Sequence, residues 1–337
     1  MRNSRFPRVV SAFLSGLFVC GVIAGLSVFI GMFSGDSPHR PVSKLLLMEG
    51  VAHAAQSTQC TGTISSLATP TSDGGAGVTI SSSGVWCVMH NLSFDDGGHA
   101  NTKAILVNAS NVTLDLNGYW LNYAGSGTTF FGIYTNSSNL IVQNGTVNGF
   151  YYGVYFDSFG YYPIAKDVNV LNVSGSGAGI YVGGGNPYPF ETVIDHCVIT
   201  AASGASMAGI YLAGSDANIS NCRINGQNTG GEGIWVDGYG SAIIDSNNIM
   251  RGNYGIRVSS TVSYASINGN SITGANTYGI YVNATDATLD SNRIVHTTYG
   301  LYFPTGTTSK YLNTITAGCS TPFECLSGAC TSVGNNS

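Results

Sequence analysis

Glu232, Asp237 and Arg257 stand close together in a chain of 337 residues of which only 9% are charged. Cleavage of a glycosidic bond needs two carboxylates, one to protonate the leaving oxygen and one to assist at the sugar carbon. Elimination from a uronate needs a base and a cation that neutralises the sugar carboxylate. The three residues are therefore candidate catalytic positions, and the plain alternative is a surface salt bridge between Asp237 and Arg257. Metal chemistry has less to offer. His90, His99, His196 and His296 are scattered, and the terminal Cys319, Cys325 and Cys330 have no histidine or second thiol pair at a zinc-like spacing. Neither a metal nor a cofactor is expected.

What would position these groups is a repeat. Gly-aliphatic-aromatic triplets begin at Gly132, Gly153, Gly179, Gly209, Gly233, Gly255, Gly279 and Gly300, at intervals of 21, 26, 30, 24, 22, 24 and 21 residues, with Arg257 replacing the aromatic residue once. A second signature lies between them, as in Ile244-Asp245-Ser246-Asn247-Asn248-Ile249, and its fourth position is filled by Cys197, Cys222, Asn247, Asn270, Asn292 and Asn313. Each unit holds two or three short alternating apolar and polar runs separated by Gly, Asn or Asp, which is the pattern of strands joined by turns. A unit this short cannot bury its apolar face alone, so the units must stack and pair each strand with its equivalent in the next coil. In such a stack, asparagine suits a left-handed turn, and its side-chain amide can bond from coil to coil.

The chain resembles the right-handed parallel β-helix repeat family, the pectate-lyase-like superfamily. Asn111-Val112-Thr113-Leu114-Asp115-Leu116-Asn117-Gly118 is similar to that family's opening coil, and the resemblance runs from about Ala104 to Ile315. It implies an all-β fold, a right-handed parallel β-helix of about nine coils, which in this chain would follow a transmembrane or signal helix read from the N-terminal residues themselves. It implies no single activity, because lyases, hydrolases, epimerases and adhesins share the fold. The polygalacturonase-like catalytic set, the calcium-binding aspartates of pectate lyases and the Asp-Pro-His of alginate epimerases are absent, and Asp95-Asp96-Gly97-Gly98-His99 precedes the regular coils.

Alternation sends Ile180 and Val182 inward and Tyr181 outward, so stacking predicts an outward column of Tyr134, Tyr155, Tyr181, Tyr211, Trp235, Arg257, Tyr281 and Tyr302. Its aromatic members are the candidate substrate-binding residues, since ring faces are platforms for the C–H faces of sugars. The alternative is a ladder of tyrosines that steadies the sheet. Asp237 is expected one coil from Arg257, and Glu232 just upstream on the same strand. Stacking also predicts a disulfide between Cys197 and Cys222 in adjacent coils. Two insertions, Phe156 to Asp167 and Val182 to Thr192, leave neighbouring coils with Phe159, Tyr161, Tyr162, Tyr188 and Phe190 on them. They read as a packed flap or as a functional loop pair.

From Val9 to Phe33 there are 25 residues without a charge, preceded by Arg2, Arg5 and Arg8. This reads as an uncleaved signal anchor, or as a leader cleaved near Ala54, so the body is exported and its thiols can oxidise. Beyond residue 54 the body carries seven basic and fifteen acidic residues, which excludes a phosphate-backbone binder and hence a nucleic-acid partner. The expected organisation is a signal segment over 1–35, a linker over 36–59, an N-terminal cap and irregular region over 60–103, the β-helix over 104–315 and a Cys-containing C-terminal cap or tail over 316–337. The expected role is contact with a polysaccharide or surface partner through the aromatic column, without chemistry. A polysaccharide lyase, glycoside hydrolase or epimerase is the alternative.

Overall fold

The computed structural model describes residues 59–157, 161–183, 191–202, 208–214, 216–226, 230–304, 308–326, 331–332 and 336. All belong to the compact unit Ala55–Ser337. The segment from Val9 to Phe33 lies outside the described residues, as do Phe159, Tyr188 and Phe190.

Every regular element among the described residues is a strand, and every pairing is parallel. The strands form a parallel β-helix of about 10 turns. One wall is an 11-stranded sheet containing Tyr152–Phe156, Ala178–Val182, Ala208–Leu212, Glu232–Val236, Tyr254–Val258, Tyr278–Val282 and Tyr299–Phe303. The other walls form one 20-stranded sheet, because the long strands Leu140–Asn148 and Ile164–Val173 run through both. The stack continues past the periodic units at both ends: Ala76–Ile80 pairs with Thr102–Val107, and Tyr299–Phe303 pairs with Thr321–Cys325. These end coils lack the Gly-aliphatic-aromatic triplet, so the repeat in the sequence does not reach them.

The core is a set of single-residue columns. Ile133, Val154, Ile180, Ile210, Ile234, Ile256, Ile280 and Leu301 stack in register and are fully buried. Each such side chain contributes about 2 kcal/mol relative to exposure. The glycine that begins each triplet is required by close approach. A Cβ on Gly233 would lie 2.4 Å from the carbonyl oxygen of Gly255 and 2.4 Å from Ile249 Cγ2; on Gly255 it would lie 2.5 Å from the oxygen of Gly279 and 2.5 Å from Ile272 Cγ2. The glycine backbone therefore dips into the core, and the residue before it is turned outward, against simple alternation.

The asparagine column is an inward ladder. Asn247 N donates to Asn270 Oδ1 at 3.0 Å and Asn270 N to Asn292 Oδ1 at 3.1 Å, while the three Nδ2 groups donate to the carbonyls of Ile219, Ile244 and Ile267. Two expectations are corrected here. Arg293 pairs with Ile315, so Thr314, not Asn313, stands beside Asn292. The left-handed conformation belongs to the position before the ladder, at His196, Asn221, Ser246, Ser291 and Asn313, with φ of 51, 54, 55, 55 and 45°.

The expected Cys197–Cys222 disulfide is also corrected. The two residues do occupy adjacent coils of this column, but both are buried free thiols. Coils related by translation carry their side chains parallel rather than facing. The thiols interact with each other without a covalent bond, and each also reaches a backbone oxygen, Cys197 Sγ to Asp195 O at 3.4 Å and Cys222 Sγ to Ser220 O at 3.2 Å. Mutual hydrogen bonding and burial push the Cys197 thiol well above its usual range. The disulfide present lies elsewhere, between Cys60 and Cys87, with Cα atoms 5.8 Å apart, and Cys325 is disulfide-bonded as well.

Candidate functional site: the outer face of the 11-stranded sheet

The predicted outward column forms in register. Tyr134 pairs with Tyr155, Tyr155 with Tyr181, Tyr181 with Tyr211, Tyr211 with Trp235, Trp235 with Arg257, Arg257 with Tyr281 and Tyr281 with Tyr302. The orientation of its rings differs from a row of open faces. Tyr134, Tyr155, Tyr181 and Tyr211 stack plane on plane, with successive centroids 5.3, 4.4 and 5.0 Å apart and interplanar angles of 10, 5 and 23°. Their faces cover one another and their edges and hydroxyls point out, which is the ladder arrangement. The stack breaks at one place: Trp235 stands at 80° to Tyr211.

A second column lies beside the first, made by the residue before each glycine: Phe131, Tyr152, Ala178, Ala208, Glu232, Tyr254, Tyr278 and Tyr299. The sequence reading, which began each unit at its glycine, did not place these residues. Their signal was the aromatic residue preceding Gly132, Gly153, Gly255, Gly279 and Gly300. Phe131 stacks on Tyr152 at 5.2 Å, and Tyr278 stacks on Tyr254 and Tyr299 at 4.9 and 5.0 Å. Ala178 and Ala208 leave a gap in this second column. The gap opens a cleft of about 240 Å³ walled by Tyr152, Tyr181, Tyr211, Trp235 and Glu232.

The structure brings two of the three candidate catalytic residues into contact. Arg257 Nη1 donates to Glu232 Oε1 at 3.1 Å, and the guanidinium carbon lies 4.4 Å from the Trp235 ring centroid and 5.2 Å from that of Tyr254. The expected Asp237–Arg257 pair does not form. Asp237 Oδ2 instead accepts a hydrogen bond from the Tyr211 hydroxyl at 3.3 Å. Tyr134 makes the same diagonal contact, donating to Asp157. Glu232 opens the strand Glu232–Val236 and Asp237 follows its far end, so the length of the strand, roughly 13 Å or more, lies between their α-carbons. Two carboxylates acting on one glycosidic bond stand about 5 to 9.5 Å apart.

Burial sets the electrostatics. It raises the Glu232 carboxyl above the usual carboxylate value, with Arg257 opposing the rise. Burial and then the Asp237 charge push Tyr211 up to about 12, and burial followed by interaction with Asp157 raises Tyr134. Burial lowers Lys103, whose ammonium lies 5.3 Å from the Tyr134 ring centroid. Among the described residues no cluster of His, Cys, Asp and Glu could hold a metal ion. Of the insertion aromatics, Tyr161 and Tyr162 fall among the described residues, with ring centroids 6.5 Å apart and Tyr162 exposed.

This fold and these columns define a right-handed parallel β-helix protein. Residues 190–337 match the family model described as right handed beta helix region. Among solved structures the chain is similar to the catalytic unit of a thermostable GH87 alpha-1,3-glucanase from Streptomyces thermodiastaticus strain HF3-3, at 16% identity and a TM-score of 0.55. That alignment covers 75% of this chain and 57% of the glucanase unit, so the chain spans little more than half its length. The periplasmic alginate epimerase AlgG aligns at 11% identity and a TM-score of 0.47, covering 75% of this chain and 80% of that one. The AlgE4 A-module of the Azotobacter vinelandii mannuronan C-5 epimerase aligns at 13% identity and a TM-score of 0.40, covering 75% and 91%. No curated protein sequence matches the chain.

Proposed function

We propose that this is an exported β-helix protein that holds a polysaccharide against the outer face of its 11-stranded sheet and performs no chemistry on it. One observation carries the reading. The aromatic columns are closed ladders except where Ala178, Ala208 and Glu232 interrupt one and where Trp235 turns away and Arg257 replaces a ring in the other, and Ala178, Ala208, Glu232 and Trp235 all line a single cleft. Aromatic side chains around a recess are suited to the apolar faces of sugar rings. Export is supported by the Cys60–Cys87 disulfide and by the uncharged N-terminal stretch behind Arg2, Arg5 and Arg8, which would anchor the protein or be cleaved near Ala54.

Glycan-array and polysaccharide pull-down measurements test the contact, with the double variant Trp235→Ala/Tyr211→Ala as the control. Truncation of a central aromatic anchor typically costs about 2 kcal/mol of binding or more. Binding is expected to vanish while the variant stays folded. If the double variant unfolds and binding per folded molecule is unchanged, the face is structural only.

The enzymatic reading has one feature in its favour, the raised carboxyl of Glu232 at the cleft. It lacks a second carboxylate at working distance, given the position of Asp237. Reducing-end and 235 nm absorbance assays on bound polysaccharides are expected to show neither hydrolysis nor elimination, and turnover lost in Glu232→Gln would replace the binding reading with an enzymatic one.

A further inference from the structure

We propose that the cleft selects sugar units bearing a free amine, so that its ligand is a de-N-acetylated hexosamine polymer and polyuronates are rejected. The inference rests on the polysaccharide reading above and adds the charge of the ligand. Its basis is the lining. Tyr152 and Trp235 stand where the stacks are broken, Tyr181 and Tyr211 present ring edges and hydroxyls, Glu232 supplies a carboxylate, and none of the described residues lining the cleft is a cation. An ammonium group is attracted both by aromatic ring faces and by a partly desolvated carboxylate.

The face already holds cations in this way. Arg257 lies on Trp235 and Tyr254, and Lys103 lies near the Phe131 and Tyr134 rings with centroid distances of 5.8 and 5.3 Å. Both bases are occupied there, and Arg257 is further held by Glu232. A uronate entering the cleft would find Arg257 committed and would face Glu232, with Asp237 and Asp157 along the same sheet face. An amine finds the Glu232 carboxylate, which Arg257 holds through Oε1 alone. Acetylation of the amine removes the charge and leaves the ring faces of the sugar unchanged, so it isolates the electrostatic part of recognition.

The test is calorimetric titration of the full chain with glucosamine hexamer, N-acetylglucosamine hexamer, galacturonate hexamer and choline chloride. Glucosamine hexamer is expected to bind about tenfold more tightly than its N-acetylated form, the order of a cation–ring contact reinforced by a carboxylate. Galacturonate hexamer is expected to bind most weakly. Glu232→Gln should bring the two hexosamine polymers to within about threefold of each other. Ala208→Tyr should abolish binding of both while folding normally, because Tyr254, Tyr278 and Tyr299 already occupy equivalent positions in other coils.

A preference that survives Glu232→Gln, or galacturonate binding as tightly as glucosamine, overturns the charge inference. The polysaccharide reading then still stands, provided that Ala208→Tyr removes binding. Choline binding as tightly as the glucosamine hexamer overturns the assignment to a sugar. If none of the hexamers binds, the polysaccharide reading fails, and the inference fails with it.

Discussion

The guanidinium of Arg257 lies 4.4 Å from the ring centroid of Trp235, at the position where a tyrosine would otherwise continue the column. The arginine thus fills a gap in an aromatic ladder and at the same time pairs with Glu232. Its charge cannot be read as a free anion site, because one side of it is a ring and the other a carboxylate.

Burial of Glu232, opposed by Arg257, gives a pH dependence of defined sign. The Glu232 carboxyl is raised above its ordinary 4.5 in the folded state, so the folded protein holds the proton more tightly than the unfolded chain. Its contribution favours folding at low pH and is lost as pH rises from about 4.5 through the raised folded value. Urea midpoints measured across this range should fall with pH more steeply in the native protein than in Glu232→Gln. Arg257→Ala should extend the fall to higher pH, since the charge opposing the rise is gone. Parallel curves for all three proteins would contradict the pairing.

The triplet glycines should be intolerant of a single methyl group. Gly255→Ala places a Cβ 2.5 Å from both a carbonyl oxygen and Ile272 Cγ2, and overpacking of this kind costs about 3 kcal/mol. Gly274→Ala is the control: its φ is +69°, but nothing lies within 4 Å, so only backbone strain of about 1 kcal/mol is expected. Chemical denaturation of the two variants measures the difference.

Asn270→Ala should cost about 3 kcal/mol by the same measurement. Its Nδ2 donates to Ile244 O and Asn292 Oδ1, and its Oδ1 accepts from Asn247 N, so truncation leaves partners unsatisfied on both neighbouring coils of the core.

The fold was legible because a stack converts sequence period into columns, so Gly-Ile-Tyr and Asn247, Asn270 and Asn292 could be placed from spacing alone. The cleft was not legible, since it depends on the residue before each glycine, and only the steric contacts of Gly233 and Gly255 reveal that this residue faces out. The thiols were misread for a related reason. Register places Cys197 beside Cys222 but does not show that the two thiols stay free.

Thiol chemistry checks this last point. Cys197 and Cys222 should stay unreactive toward a thiol reagent in the folded protein and react on unfolding, because both are buried free thiols. Cys319, only partly buried, should react first. Non-reduced peptide mapping should recover Cys60 joined to Cys87. Breaking that bond across 27 residues should lower stability by about 3 to 4 kcal/mol. A Cys197–Cys222 peptide in the native protein would contradict this assignment.

Alkaline titration reports on the tyrosine ladder. Burial and neighbouring charges raise Tyr134, Tyr155 and Tyr181 above their ordinary 10.0, and Tyr211 to about 12. The folded state therefore favours the neutral phenols, and stability should fall as pH rises past 10. Phenolate absorbance should appear in two stages, exposed tyrosines first and the ladder together with unfolding. A single stage near pH 10 would mean that the rings are not stacked in solution.

Because the gap is made of coils without a tyrosine, its length comes in whole numbers. Tyr152 and Glu232 are three coil steps apart, or about 14 Å at the inter-strand spacing. Duplication of one alanine-bearing coil would lengthen the recess by about 4.8 Å, and deletion of one would shorten it by the same increment, with the ladders on either side intact. The recess can thus change in length only by whole coils, by gain or loss of a repeat.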